Sequence, residues 1–143
     1  YPIPFEKTTF SAVEHLPWVK FMFDYDEEYM EDLIKYLDKQ GLCGVQLVRS
    51  DRMLYEVLPN ESGKGKGVKR LCDLLGVPEK RLVGMGDYYN DRELLEAAGF
   101  SVVPDNAPAD IKALADLTTA ADNDSGAVAE ALDYIMEHKS SIF

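Results

Sequence analysis

Cysteine and histidine are scarce in this chain, and basic residues are outnumbered by acidic ones. Two cysteines and two histidines occur among 143 residues, with no CxxC pair and no histidine at metal-ligand spacing. This pattern indicates reduced thiols in a cytoplasmic protein and disfavours a zinc site. Lysine and arginine number 15 against 26 acidic residues, a formal net charge of −11. Nucleic acid and anionic membranes are therefore not expected as partners, because clustered basic residues bind both.

Long apolar stretches are also absent. No run reaches the roughly 18 residues of a membrane helix. The first residues, Tyr1–Pro4, lack the basic start and apolar stretch of a signal peptide. Core-forming residues are plentiful, however, at 46% apolar and 10% aromatic, which excludes a disordered chain. We expect a globular α/β protein of about one domain's length.

Residues 1–58 are predicted to form a small α/β unit. Apolar residues recur at helical spacings of three and four, namely at Tyr29, Met30, Leu33, Ile34 and Leu37. The predicted elements are a short helix before Pro17, a strand over 19–23, a helix from Asp26 to Gly41 capped by Asp24 or Asp26, and a hairpin of strands 45–49 and 53–58.

Pro59–Gly63 is a break, after which residues 59–143 alternate between helices and strands. The predicted helices cover 68–75, 92–98, 108–115 and 126–138, and the predicted strands cover 81–86, 100–103 and 117–119. Such alternation indicates a parallel sheet built from βαβ units, in which ligands bind at the carboxyl ends of the strands.

A polar loop follows the predicted strand 81–86 and contains Asp87, Asn90 and Asp91. Two carboxylates and an amide so close together are suitable oxygen ligands for Mg²⁺. Capping of the following helix by Asn90 and Asp91 is a simpler explanation, and the spacing alone does not decide between them.

Lys64 and Asp105–Asn106 are predicted to lie at the same edge of the sheet as this loop, because helix and strand lengths return the chain there. An ammonium, carboxylates and amides at one edge suit a phosphate held with a divalent cation. An alternative interpretation of the segment Gly63–Gly67 is a solvated loop without a binding function. The segment is not a P-loop, since position 60 is Asn and glycine follows both lysines.

Residues 59–135 resemble the carboxyl-terminal half of a haloacid dehalogenase (HAD) superfamily phosphatase of the Cof-type, class IIB group. The matching segments, in order, are Lys64-Gly65-Lys66-Gly67-Val68, Leu74-Leu75-Gly76-Val77, Gly86-Asp87-Tyr88-Tyr89-Asn90-Asp91, Asp105-Asn106-Ala107, Ala115-Asp116 and Asp124-Ser125-Gly126. The resemblance implies a partial Rossmann-like core over 59–143, preceded by part of an α/β cap over 1–58.

The resemblance also implies roles for individual residues. Lys64, with Lys66 as the second candidate, would steady the nucleophile and the substrate phosphate. Asp87 would bind Mg²⁺, and Asn90 and Asp91 would hold the metal's water shell and the lysine. Asn106 would line the phosphate site. Tyr88 is bulkier than the small residue of the family pattern.

The family's nucleophile motif, DxDx[TV], has no counterpart in this chain. Asp24-Tyr25-Asp26 is a DxD, but it lacks the Thr or Val and starts a helix in the cap region. We therefore expect a carboxyl-terminal fragment of a Mg²⁺-dependent phosphatase that hydrolyses a small phosphorylated metabolite through an aspartyl-phosphate. The alternative is a non-catalytic half-domain that binds a ligand or partner.

The absent half has a consequence for association. In the family's sheet, the strand matching 81–86 lies beside the strand that carries the nucleophile. Without that neighbour, strand 81–86 becomes an open edge, and the helices beside it lose part of their apolar cover. We therefore expect a homodimer or a larger assembly of this chain.

Overall fold

The computed structural model describes residues 6–143, so the expectation about Tyr1–Pro4 lies outside the described residues. The described chain contains two three-stranded sheets. The first belongs to a unit with, in chain order, α1 (Phe10–Val13), β1 (Phe21–Asp24), α2 (Glu27–Lys39), β2 (Val45–Arg49) and β3 (Leu54–Pro59). Its strands are antiparallel in the order β1-β3-β2, which includes the predicted hairpin.

Helix α2 covers one face of this first sheet. Met30 and Leu37 point into a core with Tyr55 of β3, and Phe23 of β1 packs against them. The predicted helical spacing is therefore correct, although Tyr29 is about half exposed, at 48%. Asp26 occupies the N-cap position as predicted, but its side chain makes no capping hydrogen bond.

The second sheet is parallel, with the order β4-β5-β6. Its unit contains α3 (Lys64–Leu75), β4 (Val83–Met85), α4 (Arg92–Ala97), β5 (Phe100–Val103), α5 (Ala109–Lys112), β6 (Leu117–Thr118), α6 (Ala127–Glu137) and α7 (Lys139–Ile142). Buried residues of α4, β5, α5 and the loop between β5 and α5 form its core, namely Leu95, Val103, Ala107 and Ile111. The predicted α/β class with parallel strands is confirmed.

Several predicted boundaries are wrong, each for a local reason. Strand 81–86 shortens to Val83–Met85 because Glu79–Arg81 forms a single 3-10 turn, closed by Leu82 N–H donating to the Glu79 carbonyl at 2.8 Å. Helix 108–115 shortens to α5 because tighter turns then lead the chain to Asp116, whose N–H donates to the Ser101 carbonyl at 3.0 Å.

Apart from the start of α3, which lies four residues before the predicted one, the remaining boundaries differ by one or two residues at an end. The strand predicted over 19–23 is Phe21–Asp24, since pairing with β3 begins at Phe21. The predicted helix 126–138 ends at Glu137, and the chain continues into the short helix α7. Among residues 6–143, no helix combines the length and apolarity that crossing a membrane requires.

Strand β4 lies at one edge of the second sheet, with β5 as its sole partner in the described chain. Helices on either side expose apolar residues, with Leu74 of α3 at 76% and Met136 of α6 at 73%. Further exposed apolar residues on the same two helices are Leu71, Leu75, Val128 and Leu132. The second sheet therefore has an open edge next to apolar helix surfaces, as the sequence predicted.

Candidate active site

Lys64 is the first residue of helix α3, not a residue of the loop before it. The helix starts four residues earlier than predicted because its glycines allow it to. Gly63 turns the chain into the helix at φ +131°, a conformation that favours glycine. Gly65 lies against α4, where a Cβ atom would come within 2.5 Å of the Glu93 carbonyl oxygen. The two glycines thus bring the start of α3, and Lys64 with it, close to α4.

Asp91 joins α3 to the loop after β4. Its carboxylate is buried, with 6% of the side chain exposed, and its Oδ1 accepts a hydrogen bond from Lys64 Nζ at 2.5 Å. Its Oδ2 accepts from the backbone N–H of Asp87 at 3.1 Å. Although Asp91 precedes the first residue of α4, its side chain does not cap that helix. The capping explanation therefore does not account for this carboxylate.

Two asparagines extend the cluster to the loops after β5 and β6. Asn123 Nδ2 donates to Asp87 Oδ2 at 3.3 Å, and Asn106 Nδ2 donates to Asn123 Oδ1 at 2.9 Å. The Asn123 N–H in turn donates to Asn106 Oδ1 at 3.1 Å. Sequence reasoning missed Asn123. The sequence feature that could have identified Asn123 is the polar loop after β6, which corresponds in position to the loops after β4 and β5 that contain Asp87 and Asn106.

The other candidates lie elsewhere. Asn90, in the 3-10 turn Tyr89–Asp91, faces a cleft shared with the first sheet. Lys66 Nζ donates to the Asn60 carbonyl in the segment between β3 and α3. Asp24 and Asp26 stand at the end of β1 and the start of α2, in the first unit.

Two cavities meet at Lys64. The smaller one, about 290 Å³, has a polar wall of Lys64, Asp87, Asp91 and Asn123. Its other wall is apolar and includes Met85 of β4. The larger cleft, about 490 Å³, lies between the two units. Because Lys64 borders both spaces, a molecule in the cleft can present a charged group to the smaller cavity.

The cleft is lined by groups of both charges and by neutral polar groups. The first unit contributes Lys20, Gln46, Arg49 and Glu56, and the second unit contributes Tyr89, Asn90, Arg92 and Glu93. Burial, followed by the negative charge of Asp110, raises the pKa of Tyr89. A side-chain hydrogen bond to Asp110 acts in the same direction, so the Tyr89 hydroxyl stays protonated to a higher pH than a free tyrosine does.

Gln46 of β2 connects the two units at the mouth of this cleft. Its Nε2 donates to the Ser62 carbonyl at 2.5 Å and to the Pro59 carbonyl at 3.4 Å. The Ser62 hydroxyl also donates to the Pro59 carbonyl, at 2.7 Å. The segment between β3 and α3 is thus a hydrogen-bonded turn, attached to the first sheet two residues before Lys64.

The carboxylates suit a hard cation that keeps part of its water shell. No three His, Cys, Asp or Glu side chains converge on one point within residues 6–143. Asp87 Oδ1 has no hydrogen-bond partner in that range, whereas both oxygens of Asp91 have one. Mg²⁺ is commonly held by one or two carboxylates, waters and substrate phosphate. Asp87 and Asp91 fit such a site, with Asp87 as the carboxylate open to direct ligation.

Known proteins resemble this chain in sequence and in fold. Residues 3–132 match the family of haloacid dehalogenase-like hydrolases. A phosphoglycolate phosphatase from Methanopyrus kandleri is 34% identical over 102 residues, which cover 71% of this chain and 44% of that relative.

Solved structures give the same result. A haloacid dehalogenase-like hydrolase from Bacteroides thetaiotaomicron superposes with a TM-score of 0.71 at 27% identity, over 91% of this chain and 48% of that one. The HAD subclass IIB sugar phosphatase BT4131 has a TM-score of 0.71 at 19% identity, over 95% and 48%, and shares the fold. The resemblance inferred from the motifs is confirmed. The chain spans less than half of each of these three proteins.

Proposed function

Because the chain belongs to the haloacid dehalogenase-like hydrolase family, we propose that it forms part of a Mg²⁺-dependent phosphatase active site. The reaction is hydrolysis of a phosphate monoester through an aspartyl-phosphate. An aspartate oxygen attacks phosphorus as the bond from phosphorus to the alcohol oxygen breaks, and that oxygen leaves as the alcohol by taking a proton from an acid or from water. Water then cleaves the acyl phosphate, which releases inorganic phosphate and restores the aspartate.

One observation carries this proposal, namely the contact of Lys64 with Asp91 beside Asp87. The ammonium and the carboxylate lie 2.5 Å apart and come from different elements, at the carboxyl end of β4. Ligands of open parallel sheets bind at that edge. A fixed ammonium there stabilises the negative charge of a phosphate during its transfer.

We assign each residue of the site a role according to its position. Lys64 holds the phosphate oxygens and the attacking carboxylate, and Asp91 orients Lys64. Asp87 would hold Mg²⁺ directly, and Asp91 would bind waters of the metal. When bound, Mg²⁺ supplies positive charge that the carboxylate-rich edge lacks. Asn106 contacts the phosphate from the loop after β5.

The cleft between the two units accommodates the leaving group. Asn90 lies on the cleft side, so we assign it to the alcohol portion of the substrate and not to the phosphate. The mixed charged and neutral lining suits a small polar phosphorylated metabolite.

We also place the protein in the cytoplasm, which is supported by the absence of a disulfide at Cys43 and Cys72.

The nucleophile comes from outside these 143 residues in our proposal. Asp24–Asp26, a DxD segment without the Thr or Val, runs from the end of β1 to the N-cap of α2 and does not line the cavity at Lys64. A second DxD, Asp122-Asn123-Asp124, also lacks the Thr or Val, and neither of its aspartates lines that cavity. The relatives are more than twice as long as the segments matched here, so they contain a further part that can carry an aspartate.

The test compares this chain alone with a chimera. The chain alone should not hydrolyse p-nitrophenyl phosphate in Mg²⁺, because no aspartate is available to form the intermediate. Fusing it behind the unmatched amino-terminal part of the Methanopyrus kandleri relative should produce turnover. Within the chimera, Asp87→Asn should reduce the rate at least about 100-fold, as loss of a metal ligand does.

Asp133→Asn is the matched control, since Asp133 is an exposed aspartate on α6. It should leave the rate of the chimera unchanged. Turnover by the chain alone that disappears with Asp87→Ala would refute an external nucleophile. A near-normal rate of the Asp87→Asn chimera would refute the role of Asp87.

A further inference from the structure

Asn123 is a feature of the site that neither the motifs nor the proposed roles include. It lies in the loop between β6 and α6, and its side chain reaches the loops after both other strands of the sheet. In this position the Asn123 side-chain amide can fix the orientation of the Asp87 carboxylate.

Backbone chemistry fixes the direction of this amide. The Asn123 N–H can only donate, and it donates to Asn106 Oδ1. The Asn106 NH₂ group must therefore face Asn123 Oδ1, as observed at 2.9 Å. The Asn123 NH₂ group is then left to face Asp87 Oδ2, at 3.3 Å. The reversed amide would place an oxygen against the carboxylate, which is unfavourable.

The loop that carries Asn123 is anchored independently of Asp87. The carboxylate of Glu130, on α6, accepts hydrogen bonds from the N–H groups of Ala120 and Ala121 at 2.8 and 2.9 Å. The Asp122 carboxylate accepts from the Asp124 N–H at 3.1 Å. Asn123 is thus held by its own loop, so it can orient Asp87 without depending on it.

From this geometry we infer that Asn123 is a positioning residue, which engages Asp87 Oδ2 and leaves Oδ1 directed to the cation. This inference rests on the proposed function, since it presupposes that Asp87 binds the metal. Hydrogen bonds to a ligating carboxylate orient it and commonly change metal affinity 10- to 100-fold.

The experiment uses the 143-residue chain and Mn²⁺ as a paramagnetic substitute for Mg²⁺. Water-proton relaxation measures Mn²⁺ affinity, and Mg²⁺ should displace the bound Mn²⁺. We expect Asn123→Ala to weaken Mn²⁺ binding roughly tenfold, and Asp87→Asn to abolish it. Asn60→Ala is the matched control, because the Asn60 side chain makes no hydrogen bond within residues 6–143, and its affinity should be unchanged.

The outcomes separate this inference from the proposed function. If the wild-type chain does not bind Mn²⁺, or if Asp87→Asn binds it normally, the metal role and this inference both fail. If Asp87→Asn loses binding while Asn123→Ala keeps wild-type affinity, this inference alone is overturned. A fall in melting temperature without a change in affinity would show that Asn123 only joins the loops.

A second variant covers the case in which Asn123→Ala does not fold, judged by its amide ¹H–¹⁵N spectrum. Asn106→Ala removes the partner that directs the Asn123 amide while leaving Asn123 in place. We expect a loss of about threefold in Mn²⁺ affinity, smaller than for direct removal. Unchanged affinity in a folded Asn106→Ala protein would overturn the inference.

Discussion

Asp91 is the residue on which the local structure around the site depends most. It is a buried carboxylate, and its two oxygens serve two different segments of the chain. Its partner Lys64 is 52% exposed. The pair is therefore unequal, since one charge can be hydrated by the solvent and the other cannot.

This inequality predicts unequal costs of mutation. Lys64→Met leaves the buried Asp91 carboxylate with one N–H donor, and we expect it to lower the free energy of unfolding by about 2–3 kcal/mol. Asp91→Asn leaves a solvated ammonium and keeps an oxygen for the Asp87 N–H, so we expect less than about 1 kcal/mol. Urea denaturation measures both values.

Lys35→Met is the control, because its ion pair with Asp32 is 3.9 Å long and well exposed on both sides. It should cost no more than about 0.5 kcal/mol. Equal costs for Lys64→Met and Asp91→Asn, or the reverse order, would contradict the assigned burial of the pair.

The sequence indicated most residues of the candidate site, because strand-loop-helix order places Lys64, Asp87, Asp91 and Asn106 at one edge. It could not distinguish Lys64 from Lys66 by residue type, since both are followed by glycine. The structure separates them by helical geometry, and Lys66 contacts the Asn60 carbonyl. Asn123 was missed because its role depends on a contact between two loops that are distant in sequence.

Among the elements, α3 and α4 approach each other unusually closely. Gly65 is buried at their contact, whereas Gly67, two residues later in the same helix, has open space around it. The two glycines thus have opposite functions in one helix. Gly65 permits the contact, and Gly67 only lowers helix propensity.

Substituting each glycine by alanine should therefore have opposite effects. Gly65→Ala forces a methyl group against the Glu93 backbone, and we expect a loss of about 2–3 kcal/mol in unfolding free energy. Gly67→Ala should gain about 0.5–1 kcal/mol, the usual preference of a helix for alanine. Urea denaturation of both variants tests this, and a stabilising Gly65→Ala would contradict the close packing.

Helix and strand identities were predictable because their apolar periodicities are clear, but some ends were not. Helix α3 begins four residues before its first predicted position because packing on α4 makes glycines acceptable within a helix. Helix α5 is shorter than its apolar pattern suggests because the chain must turn to bring Asp116 to Ser101. Both effects depend on tertiary contacts, which propensities do not report.

At the scale of the whole molecule, β4 is an edge strand of the second sheet, and α3 and α6 expose apolar residues. Edge strands with free backbone groups pair readily with other strands. We expect the isolated chain to self-associate through this side, with two-fold pairing of β4. The net charge of −11 opposes association, so it should be stronger at higher salt.

Sedimentation equilibrium at micromolar concentration tests this expectation, and the mass should exceed the 16.0 kDa of one chain. Leu132→Lys places a charge on the exposed surface of α6 and should shift the protein toward monomer. Tyr36→Lys, on the exposed face of α2, should not. A wild-type monomer, or an equal effect of both variants, would show that this surface does not associate.

The two units have separate apolar cores, one around Met30 and Tyr55 and one around Leu95 and Ile111. Residues such as Val48 and Glu56 line the cleft from a sheet whose stability does not depend on the Lys64–Asp91 pair. Substitutions at these positions can therefore change the wall of the cleft without disturbing the cluster around Lys64 and Asp91. Gln46 is less free to vary, because its amide holds the turn that leads to Lys64. The cleft lining from the first sheet can thus vary in sequence while the Lys64–Asp91 pair and its neighbours stay the same.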